Sequence, residues 1–184
     1  MINSKFTKQL FTQNNLGVST QPNGLTSALV GHQPLPLGKS SRKKRPSFKF
    51  VVAGDPKIGK SSLVHRFTEG YYVREPPSQQ AGDYKKKRVR IDDKSTKLKL
   101  FDAPPQLDFK DSERMLKSFK GIDGVILCYD ISVRATFDNL KNWCREIKKV
   151  GHDDLRIIIV GTKSDLDYTR KVKYTEGKAL AEAQ

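Results

Sequence analysis

Gly54-Asp55-Pro56-Lys57-Ile58-Gly59-Lys60-Ser61 fits the spacing G-x-x-x-x-G-K-S. It follows the apolar stretch Phe48-Lys49-Phe50-Val51-Val52-Ala53 and precedes a segment, Lys60 to Thr68, whose apolar face carries Leu63, Val64 and Phe67. This order of strand, glycine-bearing loop and helix narrows the fold more than any other feature of the chain. A chain leaving a strand through this spacing wraps so that successive backbone N–H groups face inward and surround a phosphate. Lys60 brings a point charge to the terminal phosphates, and Ser61, followed by Ser62, offers a hydroxyl to Mg²⁺. The helix that starts there aims its positive end at the same spot. A glycine-rich turn can carry the spacing by chance; the strand before it and the helix after it make nucleotide binding the reading. Inside the loop, Pro56 fixes its own φ and removes one N–H donor. Lys57 stands where a small residue would fit most easily, and its side chain is expected to point to solvent.

The rest of the chain supplies an alternating framework. Lys85 to Ile91 alternates side to side, as an exposed strand does, and Lys97 to Phe101 is expected to return from a turn at Asp92-Asp93-Lys94. Asp111 to Lys120 reads as helix. Gly124 to Tyr129 is a short, wholly apolar run, the pattern of a buried parallel strand. Phe137, Leu140, Trp143, Cys144, Ile147 and Val150 follow helical spacing. Leu155 to Val160 is a second buried strand, and Thr175 to Ala183 a terminal helix. Strands alternating with helices predict an α/β layered fold with a mostly parallel sheet.

Composition divides the chain. Of 184 residues, 35 are Lys or Arg and 20 are Asp or Glu, for a net charge of +15. Residues 1–47 hold seven of those cations and no acid, and are rich in Asn, Gln, Ser, Thr, Gly and Pro. The expectation is a disordered basic extension over 1–47 and a folded domain over 48–184. The cluster Lys39-Ser40-Ser41-Arg42-Lys43-Lys44-Arg45 reads as a solvated linker; contact with anionic lipid, an acidic partner or a nuclear-import receptor stays open. With two Cys there is no disulfide framework and no four-Cys zinc site. No apolar run approaches the ~18 residues that span a bilayer. A nucleic-acid partner is not expected, because the charge comes without an aromatic platform or a known module.

Beyond the second buried strand lies Gly161-Thr162-Lys163-Ser164-Asp165-Leu166. A carboxylate can accept two hydrogen bonds at once from guanine's ring N–H and exocyclic amine. Adenine lacks that donor pair, so Asp165 would select guanine, and the Lys163 stem can lie along the base. Alone, T-K-x-D is a weak signal, and Asp165 could equally be a turn residue. Behind a strand and downstream of a phosphate loop the signal is strong.

From Phe48 to Gln184 the chain resembles the Ras superfamily of small GTPases, most closely its Rab branch. The likeness rests on Gly54 to Ser61, Asp102, Gln106, Gly121-Ile122-Asp123-Gly124, Tyr129-Asp130, Trp143, and Thr162 to Asp165. It implies a P-loop NTPase small G-domain: a mostly parallel sheet with one antiparallel edge strand. The family's sheet has six strands with five helices; here the sequence reaches Gln184 before the last strand and helix would be expected. The resemblance further implies GTP or GDP with Mg²⁺ as ligands, Ser61 and Asp102 at the metal, Thr162, Lys163, Asp165 and Leu166 at the base, and Gln106 orienting the hydrolytic water. Thr in place of Asn at the start of the base motif occurs in the Rho branch.

Two departures bear on function. Where the family reads D-x-x-G-Q, this chain reads Asp102-Ala103-Pro104-Pro105-Gln106. Pro105 replaces the Gly whose N–H reaches the γ-phosphate, and proline has no N–H. Where the family has a Thr that senses the same phosphate, alignment puts Gln79 or Gln80. The expectation is a guanine-nucleotide binder with weak switching and slow or impaired GTP hydrolysis. The alternative is a pseudo-GTPase that keeps the fold and serves as an interaction scaffold or decoy. No prenylation motif is present. A cytoplasmic monomer is expected, with acidic effector or regulator proteins and peripheral contact with anionic membrane as open partner classes.

Overall fold

The computed structural model describes residues 46–76, 83–91, 94–104, 108–118 and 121–184. Among the described residues the strands are β1 (Ser47–Ala53), β2 (Lys85–Ile91), β3 (Lys94–Asp102), β4 (Gly124–Asp130) and β5 (Arg156–Thr162). They form one sheet in the order β2-β3-β1-β4-β5. The β2–β3 pair is antiparallel, and β1 pairs parallel with β3 and β4, as does β4 with β5. The helices are α1 (Lys60–Glu69), α2 (Ser112–Ser118), α3 (Arg134–Asp138), α4 (Leu140–Val150) and α5 (Tyr174–Glu182). This is the α/β small G-domain arrangement, a mostly parallel sheet with one antiparallel edge strand.

Strand alternation sorts the side chains onto two faces. On one face, Phe50 lies opposite Leu100, and Leu98 opposite Lys87. Helix α1 covers this face: Lys87 Nζ donates to the Thr68 carbonyl at 3.0 Å, and Lys85 pairs with Glu69 at 3.2 Å. On the other face, Val51 and Ala53 join Val125, Leu127 and Tyr129 against Met115 of α2 and Leu140, Trp143, Cys144 and Ile147 of α4. Every residue of β4 is buried, as its unbroken apolar run requires.

Where the second face reaches β2, Lys86, Arg88 and Arg90 are exposed. The register sets Lys86 opposite Lys99 and Arg88 opposite Lys97, although like charges placed directly across a ladder are destabilising. Tyr84 sits beneath this end, its ring centroid 5.1 Å from Lys86 Nζ and 4.8 Å from Lys99 Nζ. Those ammonium groups, Lys86 first, pull the Tyr84 hydroxyl below its ordinary pKa.

Several boundaries differ from the sequence reading. Lys94, read as part of a turn, pairs with Ile91 as the first residue of β3; the ladder holds it in the strand. Asp92 and Asp93 lie outside the described residues. The helix expected at Asp111 is preceded by a 3₁₀ turn, Phe109–Asp111, with a reciprocal cap: Asp108 accepts from Lys110 N–H at 2.7 Å, and Asp111 accepts from Asp108 N–H at 3.3 Å. The helical spacing from Phe137 to Val150 splits at Asn139 into α3 and α4. Strand β5 runs through Val160 to Thr162, so it carries the base motif's first residue. The extension is read as reaching residue 47, but Ser47 already pairs with Lys97 as the first residue of β1; residues 1–45 of the extension, residues 77–82 of the first switch, Pro105 and Gln106 lie outside the described residues.

Candidate functional site

The site forms where β1 hands the chain to α1. Within six residues the backbone enters positive φ three times, at Gly54 (131°), Lys57 (60°) and Gly59 (93°). Gly54 is obligatory: a Cβ there would lie 2.4 Å from the Cys128 carbonyl oxygen of β4. Lys57 is a lysine in left-handed conformation, a state an L-residue adopts at some cost. Its side chain is exposed, as expected, and so is Pro56. Helix α1 then begins with no side chain capping its N-terminus and no acid in its first turn. Its leading N–H groups and positive end face the loop, the arrangement that takes an anion.

Lys60 is buried, 5% exposed. Its ammonium donates to the carbonyls of Gly54 at 2.9 Å and Asp55 at 2.8 Å, spanning the loop from within. Burial lowers its pKa, and the charge of Asp102 foremost opposes that shift. Asp102, at the end of β3, is itself pushed above the ordinary carboxylate range by burial, against a hydrogen bond from Ser61 and the charge of Lys60. Its Oδ1 is buried and has no hydrogen-bond partner among the described residues. An orphaned carboxylate oxygen beside a serine hydroxyl fits a divalent cation. Among the described residues no group of three or more His, Cys, Asp or Glu converges; Mg²⁺ accommodates this, because it takes few protein ligands and completes its shell with phosphate and water. Ser61 and Asp102 are the residues that would hold it.

The residues read as the base motif lie behind the helix start. Thr162, Lys163, Ser164, Asp165 and Leu166 share a cavity of about 680 Å³ with Gly59, Ser62, Leu63, Arg66, Tyr72 and Gly161. Lys163 turns the chain at φ 58° and directs its ammonium to Asp130 at 2.6 Å. Asp130 is buried at the end of β4, and Ser132 adds hydrogen bonds from its N–H and hydroxyl at 2.9 and 2.6 Å. Burial raises the Asp130 pKa, but the bonds from Lys163 and Ser132 outweigh it and hold the carboxyl below its ordinary range.

Thr162 ties this side to the phosphate loop. Its hydroxyl lies 2.5 Å from the Ile58 carbonyl and 2.8 Å from the Tyr129 carbonyl. One hydroxyl hydrogen serves both acceptors, whereas an amide in its place would bring two. Thr162→Val, nearly equal in shape, is expected to cost about 1–3 kcal/mol of stability by stranding both buried carbonyls. Urea denaturation checks this, and an unchanged midpoint would deny the bridge an energetic role.

Of the residues singled out from the sequence, Gln106 lies outside the described residues, and the others fall in two adjoining places. Gly59, Ser62, Thr162, Lys163, Asp165 and Leu166 line one cavity, with Lys60, Ser61 and Asp102 at the neighbouring loop and β3 end. Ile58 contributes backbone only, since its side chain is 1% exposed in the core. Cys128 lies beneath the loop, and burial pushes its thiol up to about 12, so it supplies no thiolate. Sequence reasoning assigned no role to Tyr72, 67% exposed at the cavity, or to Asp130 as the partner of Lys163. It also missed the grip on Asp55, whose carboxylate accepts from Asn139 Nδ2 at 2.7 Å and Trp143 Nε1 at 3.1 Å. Asp130 stood in the sequence beside Tyr129, but nothing local marked its partner 33 residues on. The Asp55 contacts span more than 80 residues and leave no local pattern.

Comparison with known proteins agrees with this geometry. The profile of the Ras family matches residues 49–184. The chain is similar to Ras-related protein RGP2 of Oryza sativa subsp. japonica, 34% identical over 139 residues, covering 74% of this chain and 62% of that protein. Ras-related protein Rab2BV of Beta vulgaris is 33% identical over 139 residues, with 74% and 63% covered. Ras-related protein Rab-11C of Dictyostelium discoideum is 33% identical over 138 residues, with 74% and 60% covered. The match thus spans about three fifths of each relative's length.

Proposed function

This chain belongs to the Ras family as a Rab-like member of the small-GTPase superfamily, and on that premise we propose that it binds GDP and GTP with Mg²⁺, selects guanine through Asp165, and hydrolyses GTP slowly. The observation that carries the reading is the uncapped start of α1, with buried Lys60 and the unpartnered Asp102 oxygen beside it. A phosphate chain and a divalent cation satisfy all three at once. Ser61 and Asp102 would hold the ion, which would supply charge neutralisation to the phosphates, and Lys60 would meet the terminal phosphates. Tyr72 offers an aromatic face to a base seated against Lys163 and Asp165.

The hydrolysis part of the proposal rests on sequence chemistry. Pro105 has no N–H to give a γ-phosphate, and Gln79 or Gln80 takes the place of the switch threonine. A single lost charge-assisted hydrogen bond, about 1.5–3 kcal/mol, is enough to weaken the distinction between GTP and GDP about tenfold or more. The same two positions favour the second reading, a scaffold that keeps the fold and barely uses nucleotide. By analogy with its relatives, a role in vesicle trafficking with acidic effector or regulator partners is proposed. No described helix is long and apolar enough to cross a membrane; peripheral contact with anionic lipid through residues 39–45 is the mode of membrane association proposed.

Protein purified in Mg²⁺, denatured and chromatographed, is expected to release GDP or GTP and no ATP. Asp165→Ala is expected to let ATP compete with GTP. Equal affinity of the unmodified protein for ATP and GTP would sink the guanine assignment. Turnover at the rate of an ordinary Rab would sink the argument from switch chemistry, and purification without nucleotide would favour the scaffold.

A further inference from the structure

An acidic residue in the middle of a phosphate-binding loop needs an explanation, and the explanation lies in a distant helix. The Asp55 backbone carbonyl accepts from Lys60 on the inner side of the loop. Its carboxylate turns the other way, and both oxygens are taken: Oδ2 by Asn139 Nδ2 and Oδ1 by Trp143 Nε1. The two donors sit at the N-cap and in the first turn of α4, and Trp143 is buried among the core residues of that helix. The grip is therefore fixed in the protein interior.

The geometry points to a mechanical role. Lys60 holds the free loop together by donating to Gly54 and Asp55. When its ammonium turns to a phosphate, those bonds are shared or released. The first half of the loop then keeps its place only through what grips it from outside. Its second half has such a hold at Ile58, through the Thr162 hydroxyl. The first half has Asp55. We propose that Asn139 and Trp143 are positioning residues, which act through the Asp55 carboxylate to keep the phosphate loop in its anion-binding shape while Lys60 changes partners. The proposal rests on the guanine-nucleotide reading above. It adds that retention of nucleotide is set partly from α4, by residues that would touch no ligand atom.

Trp143 is the chain's one tryptophan, so an amide nitrogen–proton correlation spectrum of the ¹⁵N-labelled full chain holds a single indole N–H signal. That signal is expected to move when GDP with Mg²⁺ is added. In the nucleotide-free protein, Asp55→Ala is expected to shift it and speed its exchange with water. Release of a fluorescent GDP analogue, chased with excess GDP, supplies the second readout. Asn139→Ala, a change at a half-buried helix cap, is expected to speed release about tenfold, one charge-assisted hydrogen bond's worth. Asp55→Ala is expected to do at least as much, and the Asp55→Ala/Asn139→Ala double variant no more than Asp55→Ala alone. Effects that multiply in the double variant would overturn the proposal. So would an Asn139→Ala protein that melts lower yet releases GDP at the unmodified rate, or an indole signal indifferent to Asp55→Ala. If the unmodified protein retains GDP and these variants behave otherwise than stated, only the positioning role falls. If it retains no guanine nucleotide, the underlying reading falls first and takes this role with it.

Discussion

Lys60→Ala is expected to remove guanine-nucleotide binding while leaving the nucleotide-free protein folded. The ammonium is the one side-chain cation buried inside the loop, and two charge-assisted bonds to phosphate oxygens would contribute about 1.5–3 kcal/mol each. Their loss corresponds to roughly a hundredfold to ten-thousandfold in affinity. Stability responds differently. Burial lowers the Lys60 pKa, so its folded-state value lies below its unfolded one. Below that folded value the buried charge works against folding, and the cost is relieved as pH rises through the lowered folded pKa toward the unfolded value. The alanine variant never carries this cost. Free of nucleotide, it should melt close to the unmodified protein, with the lost bonds to Gly54 and Asp55 offsetting the gain. Titration with a fluorescent GDP analogue beside a circular-dichroism melt separates the two effects. Binding within tenfold of the unmodified protein would show that Lys60 does not serve the phosphates.

The other large effect is expected at Gly54→Ala, where the backbone has nowhere to go. An added Cβ would stand 2.4 Å from the Cys128 carbonyl oxygen and 2.7 Å from Ile58 Cδ1, at a φ of +131° that an L-residue rarely adopts. The Ile58 methyl could turn aside. The Cys128 carbonyl belongs to the backbone of β4, a strand held between β1 and β5, and could not. The loop must shift or β1 and β4 must part, so a loss of about 3–5 kcal/mol of stability is expected. Nucleotide affinity should fall with it, because the loop's N–H groups take their direction from this turn. Urea denaturation gives the first number and nucleotide titration the second. A change in stability below about 1 kcal/mol would mean that strand and loop adapt more freely than their packing allows.

The parts of this protein that could be read from sequence are those whose cause is local. Phe48 to Ala53 is apolar and ends at a glycine, and β1 covers that run. Gly124 to Tyr129 has no polar residue, and β4 lies buried between two parallel neighbours. The phosphate loop was legible because its chemistry requires glycines, a lysine and a hydroxyl at fixed spacing. Thr162 to Leu166 was legible for the same reason, once the strand before it was recognised. What could not be read depends on which distant side chain arrives. Lys163 was read as lying along a base, and its ammonium also meets Asp130, a contact made only because β4 and β5 are neighbours. Asp55 was read as one residue of a motif, although its side chain belongs to the packing of α4. Tyr72 was passed over because an aromatic residue after a helix has no periodicity to give it meaning. The Asp108 cap shows a milder case, in which the D-x-x-D signal was present but overshadowed by the helix that follows.

The cationic end of the sheet has a consequence for how the protein behaves among copies of itself. Among the described residues strand β2 is an edge of the sheet, and edges invite pairing with another chain. Here any second copy approaching that edge would bring Lys86, Arg88 and Arg90 against the same three cations, with Lys97 and Lys99 behind them. The hairpin accepts a standing strain between its own two strands, and in return it repels its twin. The protection is colloidal and therefore borrowed from the solvent: the field reaches about 8 Å at physiological ionic strength and about 3 Å in molar salt. Dilute buffers keep such chains apart, and concentrated salt brings them within reach of one another.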